Sequence, residues 1–377
     1  MDKKYLLFIP IAIAILYSAI SPTTPTDQTA DIVKATTAFL NILDTAQRAK
    51  ILFPFSRGKT AVASKFQRTG QPGGPGGPGG KGDSGRGQFP GFVGEQYGQA
   101  VWSNYPVSDV PRPGIRLGSL NPTQRAAAMH MLQQLLSDKG YEKVQEIMGS
   151  DQALADSGTP FASGKDAYTL SIFGTPNPDT PWMVEFGGHH LALNIVIAGS
   201  KGSLTPTLTG AQPSIYQANG KTVRVLAAEN DKAFDLLASF DDSQRKKAIL
   251  DYAIGDLVLG PGHDGEVIVP EGLKASDMTA KQKDMLVDLI FQWAGIINTA
   301  YVDARMQEIK AGMDQTYFAW SGPTTHLPGR NGSSYYRIQG PHVIIEFSPQ
   351  GVGGDQTMHV HTIYRDPLNN YGTAFSQ

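Results

Sequence analysis

The chain has 377 residues, no cysteine and a net charge of −2 at pH 7. The charge balance argues against nucleic acid or an anionic membrane surface as partner, and the lack of cysteine excludes disulfides, thiolate metal ligands and cysteine nucleophiles. With 18% charged residues and 42 glycines, the composition predicts a turn-rich, β-containing fold of one large domain or two ordinary ones.

At the N-terminus, Lys3 and Lys4 precede an apolar run from Leu6 to Leu16, interrupted by Pro10 and followed by Ser18, Ala19 and Ser21. This is the layout of an export signal over residues 1–21, and the run is short for a span of about 20 residues. Cleavage after Ser21 would release an exported protein, periplasmic or extracellular. An uncleaved signal would leave an N-terminal anchor, the one membrane contact expected. Residues 28–377 are predicted to form a single α+β domain, interrupted at 70–94 by a Gly/Pro-rich insert. Glycine recurs there every third residue from Gly70 to Gly85, the collagen spacing. So few triplets make a weak triple helix, and the insert reads as a flexible loop.

A helix start then recurs along the chain. Leu43-Asp44-Thr45-Ala46-Gln47-Arg48 is matched by Leu120-Asn121-Pro122-Thr123-Gln124-Arg125, by Phe240-Asp241-Asp242-Ser243-Gln244-Arg245 and by Met278-Thr279-Ala280-Lys281-Gln282-Lys283. Each has an apolar residue, a capping residue and a glutamine three positions on, which is the capping box. These starts are structural, and their irregular spacing excludes a solenoid. The helices they open carry apolar stripes at helical spacing, such as Leu286, Leu289, Ile290 and Trp293.

Strands are predicted at 168–173, 182–186 and 190–198, and again at 317–320, 334–338, 343–347 and 358–364. Short turns between several of them suit antiparallel pairing. The predicted class is therefore α+β: a mixed, largely antiparallel sheet with amphipathic helices packed on one face. Residues two apart on a strand share a face. One face reads as apolar. The other collects Glu185, His190, Asn194, Arg337, His342, Glu346, His359, His361 and Arg365, with no lysine.

Four of the eight histidines lie in Gly187-Gly188-His189-His190 and His359-Val360-His361. The His-x-His spacing aims two imidazoles the same way. Imidazoles with a carboxylate suit a divalent transition metal such as Zn, Cu, Fe or Mn. The expected ligands are His359, His361 and either His190 or His189. Glu346 is the expected fourth ligand or general base, and Arg337 or Arg365 the expected clamp for an anionic substrate group. Without a metal, the same residues could form a histidine–carboxylate acid–base pair.

Phe186-Gly187-Gly188-His189-His190-Leu191, Tyr335-Tyr336-Arg337-Ile338-Gln339-Gly340-Pro341 with Ile345-Glu346-Phe347, and His359-Val360-His361-Thr362 with Arg365-Asp366-Pro367 and Tyr371-Gly372 resemble one family. It is the family catalogued as domain of unknown function 3500, and the resemblance runs from about Thr36 to Gly372. It implies export but no named activity. The family pattern implies an aspartate before Tyr-Gly and a histidine beyond it. Here Asn370 stands before Tyr371-Gly372, and no histidine follows.

The resulting expectation is an exported metal-dependent enzyme acting on an unidentified small-molecule or polymer substrate. A hydrolase with metal-activated water stands slightly ahead of an oxidase. The alternative is a non-catalytic envelope or ligand-binding protein with a structural metal or a polar pocket.

Overall fold

Alternating apolar side chains build one large sheet, and eight strands form its body. These are β1 (Thr169–Phe173), β2 (Trp182–Gly188), β3 (Leu191–Ala198), β4 (Thr207–Ala211), β5 (Tyr317–Ser321), β6 (Tyr335–Gly340), β7 (Val343–Pro349) and β8 (Val360–Arg365). Their order is β1-β2-β3-β4-β8-β7-β6-β5, with Leu52–Phe53 and Leu273–Lys274 at the two edges. Leu52–Phe53 pairs parallel with β1, and the eight strands pair antiparallel throughout. The fold is thus the α+β class read from the sequence. This computed structural model describes residues 24–56, 58–66, 92–266 and 268–376. The export signal expected at 1–21 lies outside the described residues, as do positions 70–91 of the insert. Phe92, Val93 and Gly94, at the insert's expected end, begin a strand, Phe92–Tyr97.

The chain builds this sheet by laying down one pattern twice. Helices Pro25–Asn41, Thr45–Ile51, Pro122–Leu135 and Asp138–Asp156 precede β1–β4. Helices Ala227–Ala238, Asp242–Ala248, Ala280–Ala294 and Thr299–Ala311 precede β5–β8. The matching reaches single residues. Leu52 pairs in parallel with Ile172, and Ile249 bridges in parallel to Trp320. Gly114 and Gly272 have φ of +100° and +99°, and a Cβ on either would lie 2.2 Å from a carbonyl, that of Leu170 or Phe318. Only glycine accepts both constraints.

The duplication explains the four helix starts. All four are capping boxes with both reciprocal bonds formed. They work in pairs. The Gln47 and Gln124 amides bond each other, as do those of Gln244 and Gln282. Two neighbouring helices in each half are thereby locked start to start. The halves meet at Leu136 and Ile297, where Ser137 N–H donates to Ile296 and Asn298 N–H to Leu135, each at 3.0 Å.

The helices cover the apolar face of the sheet, where Trp182, Val184, Phe186, Leu193, Ile338 and Ile345 join one core with Leu132, Leu289 and Trp293. The opposite, polar face is buried as well: Glu185, Asn194, Arg337, Glu346 and Arg365 are 0–3% exposed. A small sheet of Val62–Phe66, Phe92–Tyr97 and Ala100–Trp102 covers one end of it, and the segment around 257–268 covers the other. The ionisable groups on this face are what hold these coverings. Glu185 accepts the Val101 N–H at 3.0 Å, and Glu95 of the small sheet is paired with Arg365.

Candidate metal centre

The centre forms where a hairpin turn of the first half meets the first residues of β8 from the second half. Gly188 pairs with Leu191, so His189 and His190 are the two turn residues rather than the strand residues expected from the sequence. His190 has φ of 60°, an uncommon conformation for a side-chain-bearing residue, and its N–H donates to the Asn104 carbonyl at 3.1 Å. Gly210 on β4 lies beneath it. A Cβ there would meet the Val360 carbonyl at 2.6 Å and the His190 Cβ at 3.3 Å. Gly210 pairs with His361 across the β4–β8 ladder, which brings His190 over the two alternating histidines.

The three Nε2 atoms converge. His359 Nε2 lies 3.1 Å from His190 Nε2 and 3.1 Å from His361 Nε2. Ligand atoms of all three residues fall within 4.8 Å of one another. His359 Nδ1 lies 3.0 Å from the Val352 carbonyl, which can only accept. The proton is therefore on Nδ1, and Nε2 presents a lone pair to its neighbours. Metal–nitrogen bonds of about 2.0–2.1 Å in a tetrahedral site place nitrogens about 3.3 Å apart. The observed spacing fits a shared ion. Burial pushes His190 well below the ordinary imidazole range, and the neighbouring His189, His359 and His361 push it further. Burial and His361 push His359 down to about 3, against the bond to Val352. Both rings are held neutral, the form that ligates.

His361 is flanked by the Asn104 amide, 3.1 Å from Nδ1 and 3.2 Å from Nε2, and by Asp256, whose Oδ1 is 3.6 Å from Nδ1. Arg112 braces the wall that carries Asn104. Its guanidinium donates to the carbonyls of Ser103 (2.8 Å), Tyr105 (2.6 Å) and Gly188 (3.2 Å), tying that wall to the residue before the His-His turn.

The other expected site residues stand elsewhere. His189 stacks on His190 with centroids 3.8 Å apart, but its Nδ1 is bound to Asp151 at 2.7 Å. Glu346 bonds none of the histidines. It accepts the N–H groups of Val258 (2.8 Å) and Leu259 (2.7 Å) and the Tyr335 hydroxyl. Arg337 donates to Glu271 at 2.9 Å and to the Tyr335 hydroxyl at 3.3 Å. Arg365 is paired with Glu95 and stacks over Trp102, 4.5 Å from the ring centroid. These three fasten the covering segments to the sheet, which is why a lysine-free polar face was visible in the sequence. His342 occupies the second half's hairpin turn, and the three-histidine group does not include it. Asn104, Arg112, Asp151, Asp256 and the Val352 carbonyl were missed by sequence reasoning. Each comes from a loop or a helix with no distinguishing periodicity.

Fold and site together define an α+β protein of duplicated architecture with a buried three-histidine cluster that could hold a metal ion. The chain belongs to the family described as Protein of unknown function (DUF3500), whose profile matches residues 91–373. No curated protein and no solved structure matches it.

Proposed function

We propose that the protein is an exported metal-dependent hydrolase holding one divalent transition metal on Nε2 of His190, His359 and His361. The observation that carries this is the pair of 3.1 Å Nε2–Nε2 separations around a bare lone pair on His359. Three imidazoles with one position left for water are a common catalytic ligand set, and imidazole suits Zn, Cu and Fe. A metal so held supplies Lewis acidity and lowers the pKa of water bound to it.

The protein's own residues orient the ligands. Val352 fixes the His359 tautomer, the His189-His190 turn fixes His190, and Asn104 with Asp256 flanks His361. Such outer partners commonly tune metal affinity by about 10–100-fold. Asp256 Oδ1 lies 3.6 Å from His361 Nδ1, and its side chain is 60% exposed. In this reading it stands at the His361 Nδ1, away from the metal-facing Nε2, and orients that ring. Export is carried by the Lys3-Lys4 and Leu6–Leu16 signal.

Elemental analysis of protein purified without a histidine tag tests the ligation. About one equivalent of metal per chain is expected, with loss in His190→Ala, His359→Ala and His361→Ala. Equal trace metal in all four would defeat the proposal.

A second reading, a non-catalytic protein with a structural metal, is favoured by the burial of all three residues, 3–6% exposed. Cobalt substitution separates the two. A visible spectrum altered by azide or cyanide marks an exchangeable position, and an unresponsive one marks a closed site.

A further inference from the structure

Beside the centre, on the Nδ1 side of His359, lies a cleft of about 350 Å³. Its volume falls within the range of small-molecule sites, roughly 300–1,000 Å³. Its apolar wall comes from Ala153 and Leu154 on helix Asp138–Asp156, with Pro213, Val352 and Met358 facing them. Among the described residues, no lysine or arginine lines it. Its one carboxylate, Asp355, is bonded by the Thr357 N–H and hydroxyl and paired with Arg330 at 2.7 Å.

One feature of the lining is unspent. Gln212 is 9% exposed as a residue, and its amide makes no hydrogen bond to any described residue. Gly353, at φ +98°, leaves no room between them: a Cβ there would lie 3.1 Å from the Gln212 amide nitrogen. An amide on the cleft lining without protein partners offers a bound molecule two donors and a two-lone-pair acceptor.

We infer that this cleft binds an uncharged small molecule bearing a carboxamide-type group, which pairs with the Gln212 amide while its apolar part rests on Leu154 and Val352. A neutral amide answers both the donor and the acceptor of Gln212. A carboxylate answers only the donor and meets the field of Asp355. A cation finds no free carboxylate and gives Gln212 no acceptor. The inference goes beyond the metal reading and does not need it, because the Val352 carbonyl and the His359 ring separate the cleft from the three Nε2 atoms.

Benzamide, benzoate and benzylamine have nearly the same shape and differ in charge, so they serve as probes. Their binding to the full chain, stripped of metal by chelation, is measured by calorimetry or ligand-observed NMR. Benzamide is expected to bind at least tenfold more tightly than either charged probe, and Gln212→Leu to weaken benzamide at least fivefold and benzoate by less. Val352→Lys, at an exposed position that leaves the core intact, should move the preference toward benzoate. Equal binding of the three probes, no benzamide binding up to its solubility limit, or unchanged probe preference in both variants would overturn the inference. The metal content of the untreated protein is read separately, so failure of one idea leaves the other standing.

Discussion

The two halves of the chain share their helices, capping pairs and strand order, but they differ at the hairpin turn between the second and third strands of each. In the first half that turn is His189-His190. In the second it is Pro341-His342, and its histidine meets no other. Counting back from the paired residues Thr207 and Tyr364, the positions of His361 and His359 correspond to Leu204 and Gly202 in the first half. A Cβ on Gly202 would lie 2.7 Å from the Tyr301 ring, so that site is filled by packing. A duplicated frame therefore yields one histidine cluster because two sequence changes, one per half, meet only where β4 pairs with β8.

The largest effect expected from this asymmetry is in metal content. His361→Ala should abolish stoichiometric metal while His342→Ala leaves it unchanged, as read by elemental analysis. Equal loss in both would place the site elsewhere and erase the distinction between the halves.

Position 346 and its first-half equivalent sharpen the comparison at the level of stability. Glu346 answers two N–H groups, that of Leu259 buried, and a hydroxyl, whereas Asn194 makes one bond, from its Nδ2 to the Pro206 carbonyl at 3.0 Å. Glu346→Ala should cost about 3–5 kcal/mol in urea denaturation, and Asn194→Ala about 1 kcal/mol. Glu346→Gln keeps much of the shape and separates a structural role from a chemical one. If it retains stability and metal but loses activity, the base role expected from the sequence returns.

Glu185 and its counterpart Arg337 differ in sign of charge, and this gives a pH dependence. Burial raises Glu185 from its ordinary 4.5 to about 8, although Arg112 and the Val101 N–H oppose the shift. The folded state thus keeps a proton that the unfolded chain releases. Its stabilising contribution is complete below pH 4.5 and is lost as pH rises to 8, with no further loss above. Glu185→Gln should flatten the melting temperature between pH 5 and 8 and add on the order of 1–3 kcal/mol at pH 8. An unchanged slope would show that Glu185 is ionised throughout.

The smallest expected effect concerns what the halves share. Gln124→Ala and Gln282→Ala each remove one capping box and one glutamine pair, and each should cost about 1 kcal/mol. A difference above about 1 kcal/mol between them, in the same denaturation assay, would show that the pairs are not equivalent.

Much of this frame was legible in the sequence because it rests on local rules. The four cap-and-glutamine starts name their helices outright, and period-two alternation names β2, β3, β6, β7 and β8. What local rules miss is partnership. The four starts looked irregularly spaced because they are two pairs from two copies, separated by insertions of different length. The polar face looked like one site because charged residues at period two share a face. In the fold, that face is long enough for Arg337, Glu346 and Arg365 to hold covering segments while the histidines gather at one end. His189 and His190 were placed on a strand, yet two residues between paired Gly188 and Leu191 can only be a turn. That turn lets His190 reach the cluster and leaves His189 with Asp151. The partners Asp151, Asn104 and Asp256 are brought in by contacts across more than 30 residues of chain, which no local spacing encodes.

The most direct measurement is an anomalous difference map at the metal edge from crystals of the metal-loaded, untagged chain. The account predicts one peak within bonding distance, about 2.0–2.1 Å, of Nε2 on His190, His359 and His361, with His189 still on Asp151. No peak among these three rings, or a peak bound instead by His189 or His342, would contradict it.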